Sequence, residues 1–287
     1  MINPEEVTII IPHLGRTSES KFALRECLLS LEETAPQIKK ILVINGLKFE
    51  EDYTLFDGEG FETTNLSIMT LEDQGQCKAV NAAVATNNTP WIFVTNDDMV
   101  YAPGWFEKLM DGMQEGRFCI SPKLVEPRKG APTFLVEFCG GAGGDFDKQK
   151  FLDYVKNYDG VSALGTFCHP GFNLPFLISK ELWDTVGGYD ISYDPWGSNS
   201  DSDLEYKIKL AGVQPIQNDK CLVYHFSQTS GTFNPENNEY YQRNFQIFRD
   251  KWGFDRTDDG IWEATFSIPD EGRKFRPEWE GKYNVGI

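Results

Sequence analysis

A chain of 287 residues with 40% hydrophobic and 14% aromatic residues can form one large α/β domain with a full core, and is too apolar to be disordered. Its 44 acidic residues against 27 Lys and Arg give a formal net charge of −17, which repels polyanions and argues against nucleic acid as a partner. Six dispersed cysteines without CxxC or zinc-type spacing suggest free thiols in a reducing, cytoplasmic setting, and no basic leader or long apolar run predicts a signal peptide or membrane span.

In chain order, the β-branched run 7–11 (VTIII), closed by Pro12, predicts a strand buried on both faces. Helical spacing follows over 21–33, then a second buried strand over 40–44 (KILVI) that stops at Asn45 and Gly46. A weaker strand over 66–71, a helix over 76–85 and a fourth strand over 91–95 (WIFVT) complete the first hundred residues. Such alternation implies an α/β fold with a mostly parallel central sheet flanked by helices and a ligand at the carboxyl ends of its strands. The polar clusters 13–18, 45–46 and 96–98 fall at those ends.

From about 126 to 165 the periodicity fades around GGAGG (140–144), which reads as a mobile, variable insertion rather than a phosphate loop. A strand over 171–179 and a helix over 180–186 stopped by Gly187 and Gly188 come next. A helix over 203–211 ending at Gly212, strands over 213–217 and 221–225, and a helix over about 237–252 follow. The remaining tail has no assignable pattern.

Asn96, Asp97 and Asp98 follow a five-residue apolar strand, so two adjacent carboxylates emerge at a strand end. Such oxygens suit Mg²⁺ or Mn²⁺ completed by substrate phosphates, although the same triplet also makes an ordinary turn. Three larger blocks resemble the family 2 glycosyltransferases and their GT-A relatives: 7–16 (VTIIIPHLGR), 91–109 (WIFVTNDDMVYAPGWFEKL) and 175–190 (PFLISKELWDTVGGYD). The resemblance continues through 196–212 (WGSNSDSDLEYKIKLAG) and 248–253 (FRDKWG), in the family's order.

This resemblance implies a GT-A fold and the transfer of a sugar from a nucleoside diphosphate donor, UDP-linked by preference, to a hydroxyl of a glycan-type acceptor. It places Asp98 at the metal, with Asn96 and Asp97 beside the ribose or metal and His225 as a further ligand. It also implies nucleotide contacts from Pro12, His13, Arg16, Asn45, Asp73, Lys78 and Asn81. Asp201 aligns with the general base, while Asp203, Asn173 and Trp196 fall on the acceptor side.

Bland readings stand beside these: an exposed helix lysine for Lys78, a solvated arginine for Arg16, a hydrogen-bonded strand end for His225, and helix capping for Ser200, Asp201 or Ser202. Ser200 replaces the glutamate usual in the family's Glu-Asp-x-Asp-Leu motif, so inversion with Asp201 as base is favoured while retention stays open. A nucleotidyltransferase fits less well, because 12–18 has one glycine and one arginine; a silent glycan- or nucleotide-binding protein of the same fold is the other alternative. The expected organisation is one domain over 1–253, with a nucleotide-sugar half (1–110), a variable insertion (126–165) and an acceptor half (166–231). The tail 254–287 is expected to pack on or near the active site.

Overall fold

The computed structural model describes residues 2–15, 17–46, 63–72, 75–111, 118–127, 135–159, 168–227, 229 and 234–252. Strand β1 (Val7–His13) is buried along its whole length and pairs in parallel with β2 (Lys39–Asn45) and β4 (Trp91–Val94). Continuous apolar runs suit these positions, because helices cover both faces of a parallel strand. β3 (Leu66–Leu71) pairs with β2 at the sheet edge, and its alternating, half-exposed pattern matches that place.

Beyond β4 the sheet continues through β9 (Phe176–Ser179), β6 (Cys119–Glu126), β10 (Ile216–His225) and β5 (Met99–Tyr101). β9 is antiparallel to both β4 and β6, which therefore run the same way, and β10 is parallel to β6. The carboxyl ends of β1, β2, β4, β6 and β10 consequently share one edge. β7 (Leu135–Val136) and β8 (Cys168–Pro170) add short pairings to β6 and β10.

Helices α1 (Ser18–Thr34) and α3 (Trp105–Met110) pack with one face of the sheet in a core that includes Leu24, Leu28, Phe93 and Trp105. A second core, on α2 (Gln76–Thr86), α5 (Lys180–Val186), α6 (Ser200–Leu210) and α7 (Asn238–Trp252), includes Val80, Leu182, Leu204 and Trp252. α1 opens three residues earlier than its apolar spacing predicts, because Thr17 and Ser20 form a reciprocal capping box. α5 ends at Gly187, whose φ of 76° lies in the left-handed region as the glycine stop predicts.

Three expectations are corrected. Strands expected over 213–217 and 221–225 are one strand, β10, whose pairing with β6 shifts register between Asn218 and Leu222. The strand expected over 171–179 starts only at Phe176. The stretch read as an aperiodic insertion contains α4 (Lys148–Asn157), capped by Asp147, which accepts from the Lys150 amide at 2.9 Å. Only Phe151 and Val155 of that helix are buried, too thin an apolar stripe to announce it. Among the described residues no helix is long and apolar enough to cross a membrane.

Candidate active site

The polar residues predicted at the strand ends converge on the shared carboxyl edge. His13, the last residue of β1, brings Nδ1 to 2.5 Å from Asp97 Oδ2, tying the β1 end to the turn after β4. Its Nε2 is buried without a hydrogen-bond partner and faces Gly15, where a Cβ would come within 1.9 Å of it. Burial raises the Asp97 carboxyl above its usual range, against the opposing pull of His13.

Asp98 and His225 form the next pair. The Asp98 backbone carbonyl accepts from the Phe226 amide at 3.0 Å, and antiparallel pairing sets Met99 opposite His225. That clamp leaves His225 Nε2 3.4 Å from Asp98 Oδ1, while Asp98 Oδ2 accepts from the Thr229 hydroxyl at 3.0 Å. Asp98 Oδ1 is buried and makes no hydrogen bond. On the far side of the imidazole, Nδ1 lies 2.7 Å from Oε1 of Glu126, the last residue of β6. Burial would depress the His225 pKa, yet the flanking Asp98 and Glu126 carboxylates hold it at about 10. Burial likewise opposes the charged form of Asp98, and the charge of the neighbouring His225 outweighs it, so the Asp98 pKa is lowered.

Helix α2 is gripped by the loop between α5 and α6. Its N-cap, Gly75, offers no side chain; instead Asp194 accepts from the amides of Cys77 at 2.8 Å and Lys78 at 3.1 Å. A carboxylate there meets both the unpaired first-turn donors and the positive end of the helix dipole. Asn45 fixes the same turn by accepting from the Gly75 amide at 2.9 Å. One turn further on, Asn81 clasps the Tyr189 backbone, donating to its carbonyl at 2.7 Å and accepting from its amide at 3.0 Å. Tyr189 in turn donates its hydroxyl to Asp201 Oδ1 at 2.7 Å.

Asp201 stands in the first turn of α6, which opens at Ser200 from Asn199, a left-handed residue with a φ of 67° and no side-chain cap bond. Helix capping by Ser200, Asp201 or Ser202 is therefore not what these residues do, since all three lie inside the helix. Asp203 has no exposed surface: it accepts from Trp252 Nε1 at 2.9 Å and pairs with Lys251 at 2.8 Å. It is thus buried and tied to α7. Asn173 spends its amide on the carbonyls of Pro122 and Leu174, at 3.2 and 3.1 Å.

Trp196 is half-buried, Lys78 is exposed, and Pro12 is buried within β1. Asn96 is half-buried, and its carbonyl accepts from the Thr95 hydroxyl at 3.0 Å. Arg16, Asp73 and the tail 254–287 lie outside the described residues, as do 128–134 and 160–167 of the expected insertion. Glu126, Tyr189, Asp194 and Thr229 are residues of this edge that sequence reasoning missed; all but Tyr189 act through a partner about a hundred or more residues away.

Residues 8–135 match the model of Glycosyl transferase family 2. The solved GalNAc-T7 with UDP, GalNAc and Mn²⁺ superposes with a TM-score of 0.57 at 15% identity, covering 86% of this chain and 48% of that one. The fold is the GT-A fold of glycosyltransferases. Two other GT-A structures agree: S. aureus TarS 1–349, at 0.53 and 14% identity over 88% of this chain and 73% of that one, and PcManGT. The latter, a mannosyltransferase from Pyrobaculum calidifontis with GDP-Man and Mn²⁺, gives 0.54 at 13% identity over 91% and 66%. The chain thus spans about half the length of GalNAc-T7. No curated protein matches its sequence.

Proposed function

We propose that this protein is a metal-dependent glycosyltransferase that moves a sugar from a nucleoside diphosphate donor, UDP-linked by preference, to a hydroxyl of a glycan-type acceptor. The observation that carries the reading is the buried, unpartnered Asp98 Oδ1 facing His225 Nε2 at the carboxyl edge of a GT-A sheet. Among the described residues no group of three or more His, Cys, Asp or Glu is placed to hold a metal by itself. Glu126 lies on the opposite ring nitrogen and cannot share an ion with Asp98 and Nε2. A two-ligand protein site nevertheless fits Mn²⁺ or Mg²⁺, which such sites hold through few side chains plus substrate phosphates.

When bound, the metal supplies Lewis-acid neutralisation of the charge that develops on the leaving nucleoside diphosphate. Asp98 and His225 would hold it, and His13 and Asp97 lock the neighbouring turn. Asp201 takes the proton from the acceptor hydroxyl as general base, with one oxygen fixed by Tyr189, and the sugar is transferred with inversion. Lys78 and Asn96 face the donor, Trp196 offers a platform to an acceptor sugar, and Asn45 and Asn81 hold the donor helix in place. The catalytic unit comprises residues 1–253, with its donor half in 1–110 and its acceptor half in 166–231.

The UDP and Mn²⁺ in GalNAc-T7, and the GDP-Man and Mn²⁺ in PcManGT, support the donor class and the metal. The test is to incubate the protein with a panel of UDP-, GDP- and dTDP-sugars, with Mn²⁺ or with a chelator, and follow nucleoside diphosphate release. Metal-dependent release from one donor is expected; donor binding without release and without metal dependence would indicate a silent binding protein instead.

A further inference from the structure

We infer that Glu126 is a positioning residue that aims His225 at the metal, an inference that rests on the metal-site reading above. Glu126 ends β6, and parallel pairing of Val125 with Tyr224 brings the ends of β6 and β10 level, so Glu126 and His225 emerge side by side. The Glu126 side chain is 4% exposed and faces His225 Nδ1 at 2.7 Å. A carboxylate does not stay buried without a partner that offsets its lost hydration.

That partner alone does not balance the charge. Asp98 and Glu126 flank a single imidazole, so the buried trio carries a net charge of about −1 even with a protonated ring and about −2 with a neutral one. Asp98 Oδ1 is also left without a hydrogen bond, on the side of the ring away from Glu126. Excess negative charge and an orphaned acceptor on the same face describe a place for a cation. When a cation displaces the Nε2 proton, Glu126, by accepting Nδ1–H, fixes the tautomer whose Nε2 lone pair points there, and raises the basicity of that nitrogen.

The experiment is a Mn²⁺ titration in the presence of saturating UDP, following the electron paramagnetic resonance signal of free Mn²⁺, on the wild type, Glu126→Gln, Glu126→Ala and His225→Ala. Near-ultraviolet circular dichroism checks that each variant is folded. Glu126→Ala is expected to weaken Mn²⁺ binding by about 10- to 100-fold, and Glu126→Gln by less, since its amide oxygen still accepts from Nδ1–H. If Glu126→Ala is unfolded, a clear weakening in Glu126→Gln carries the test. Wild-type affinity in the folded Glu126 variants, beside a weakened His225→Ala, would overturn the positioning role while leaving the metal site standing. A wild type that takes up no Mn²⁺ would overturn the metal-site reading itself, and the inference with it.

Discussion

Asp201 and Asp203 are two residues apart and chemically identical, yet their surroundings give them different work. Asp201 is half-buried and accepts from the Tyr189 hydroxyl, whereas Asp203 is fully buried with Lys251 and Trp252 both on its Oδ1. Replacing Asp201 with Asn is expected to lower kcat by about 10²- to 10⁴-fold with little change in stability, the range for loss of a general base. Tyr189→Phe removes a hydrogen bond to a charged group, worth about 1.5–3 kcal/mol, so a fall in kcat of roughly tenfold or more is expected. An unchanged rate in Tyr189→Phe would dissociate Tyr189 from the chemistry.

The alternating acids of SDSDL do not reveal in sequence which one faces the cleft, since that depends on where α6 begins. With the helix opening at Ser200 rather than near Asp203, Asp203 shares an inward face with Leu204 and Lys207. Asn96 to Asp98 were legible because they follow an apolar strand directly. Glu126 was not, because an acid at the head of a Pro-, Arg- and Lys-containing stretch reads as the start of a loop, and its partner His225 lies 99 residues away.

At the scale of elements, α7 is the strap that holds α6 and the loop before it in place. Phe248 and Trp252 enter the second core, and Lys251 is fully buried between Asp190 at 2.7 Å and Asp203 at 2.8 Å. Asn244 adds bonds to the Tyr193 carbonyl at 2.7 Å and the Ser198 hydroxyl at 3.0 Å, on the loop leading into α6. Lys251→Met would strand two buried carboxylates and is expected to destabilise the protein by about 3–5 kcal/mol, read as a lower urea midpoint at unchanged slope. A loss below about 1 kcal/mol would mean that the two acids simply take up protons or water when the amine is gone.

α6 itself is buried almost all round despite four charged residues beyond Asp201, because Asp203 with Lys207 and Glu205 with Lys209 pair along the helix. Burial lowers the pKa of both lysines. By its composition this helix looks solvent-facing, and nothing in its own residues discloses the cover that α5 and α7 provide. The parallel first half of the sheet was readable for the opposite reason: its strands are apolar on both faces, so pattern and burial agree.

Across the whole molecule, early and late parts of the chain meet through α2, whose first turn is capped by Asp194 from the loop between α5 and α6 and whose Asn81 clasps Tyr189. In the proposed reading, metal, donor helix and base would in this way share one edge of one sheet. The most direct test of that arrangement is calorimetric titration of UDP into the wild type and Asp98→Ala, each with Mn²⁺ and with a chelator. Binding that strengthens at least about tenfold with Mn²⁺ in the wild type, and loses that gain in Asp98→Ala, is the predicted result. UDP affinity indifferent to both the metal and the substitution would contradict the assignment of Asp98 to a metal site.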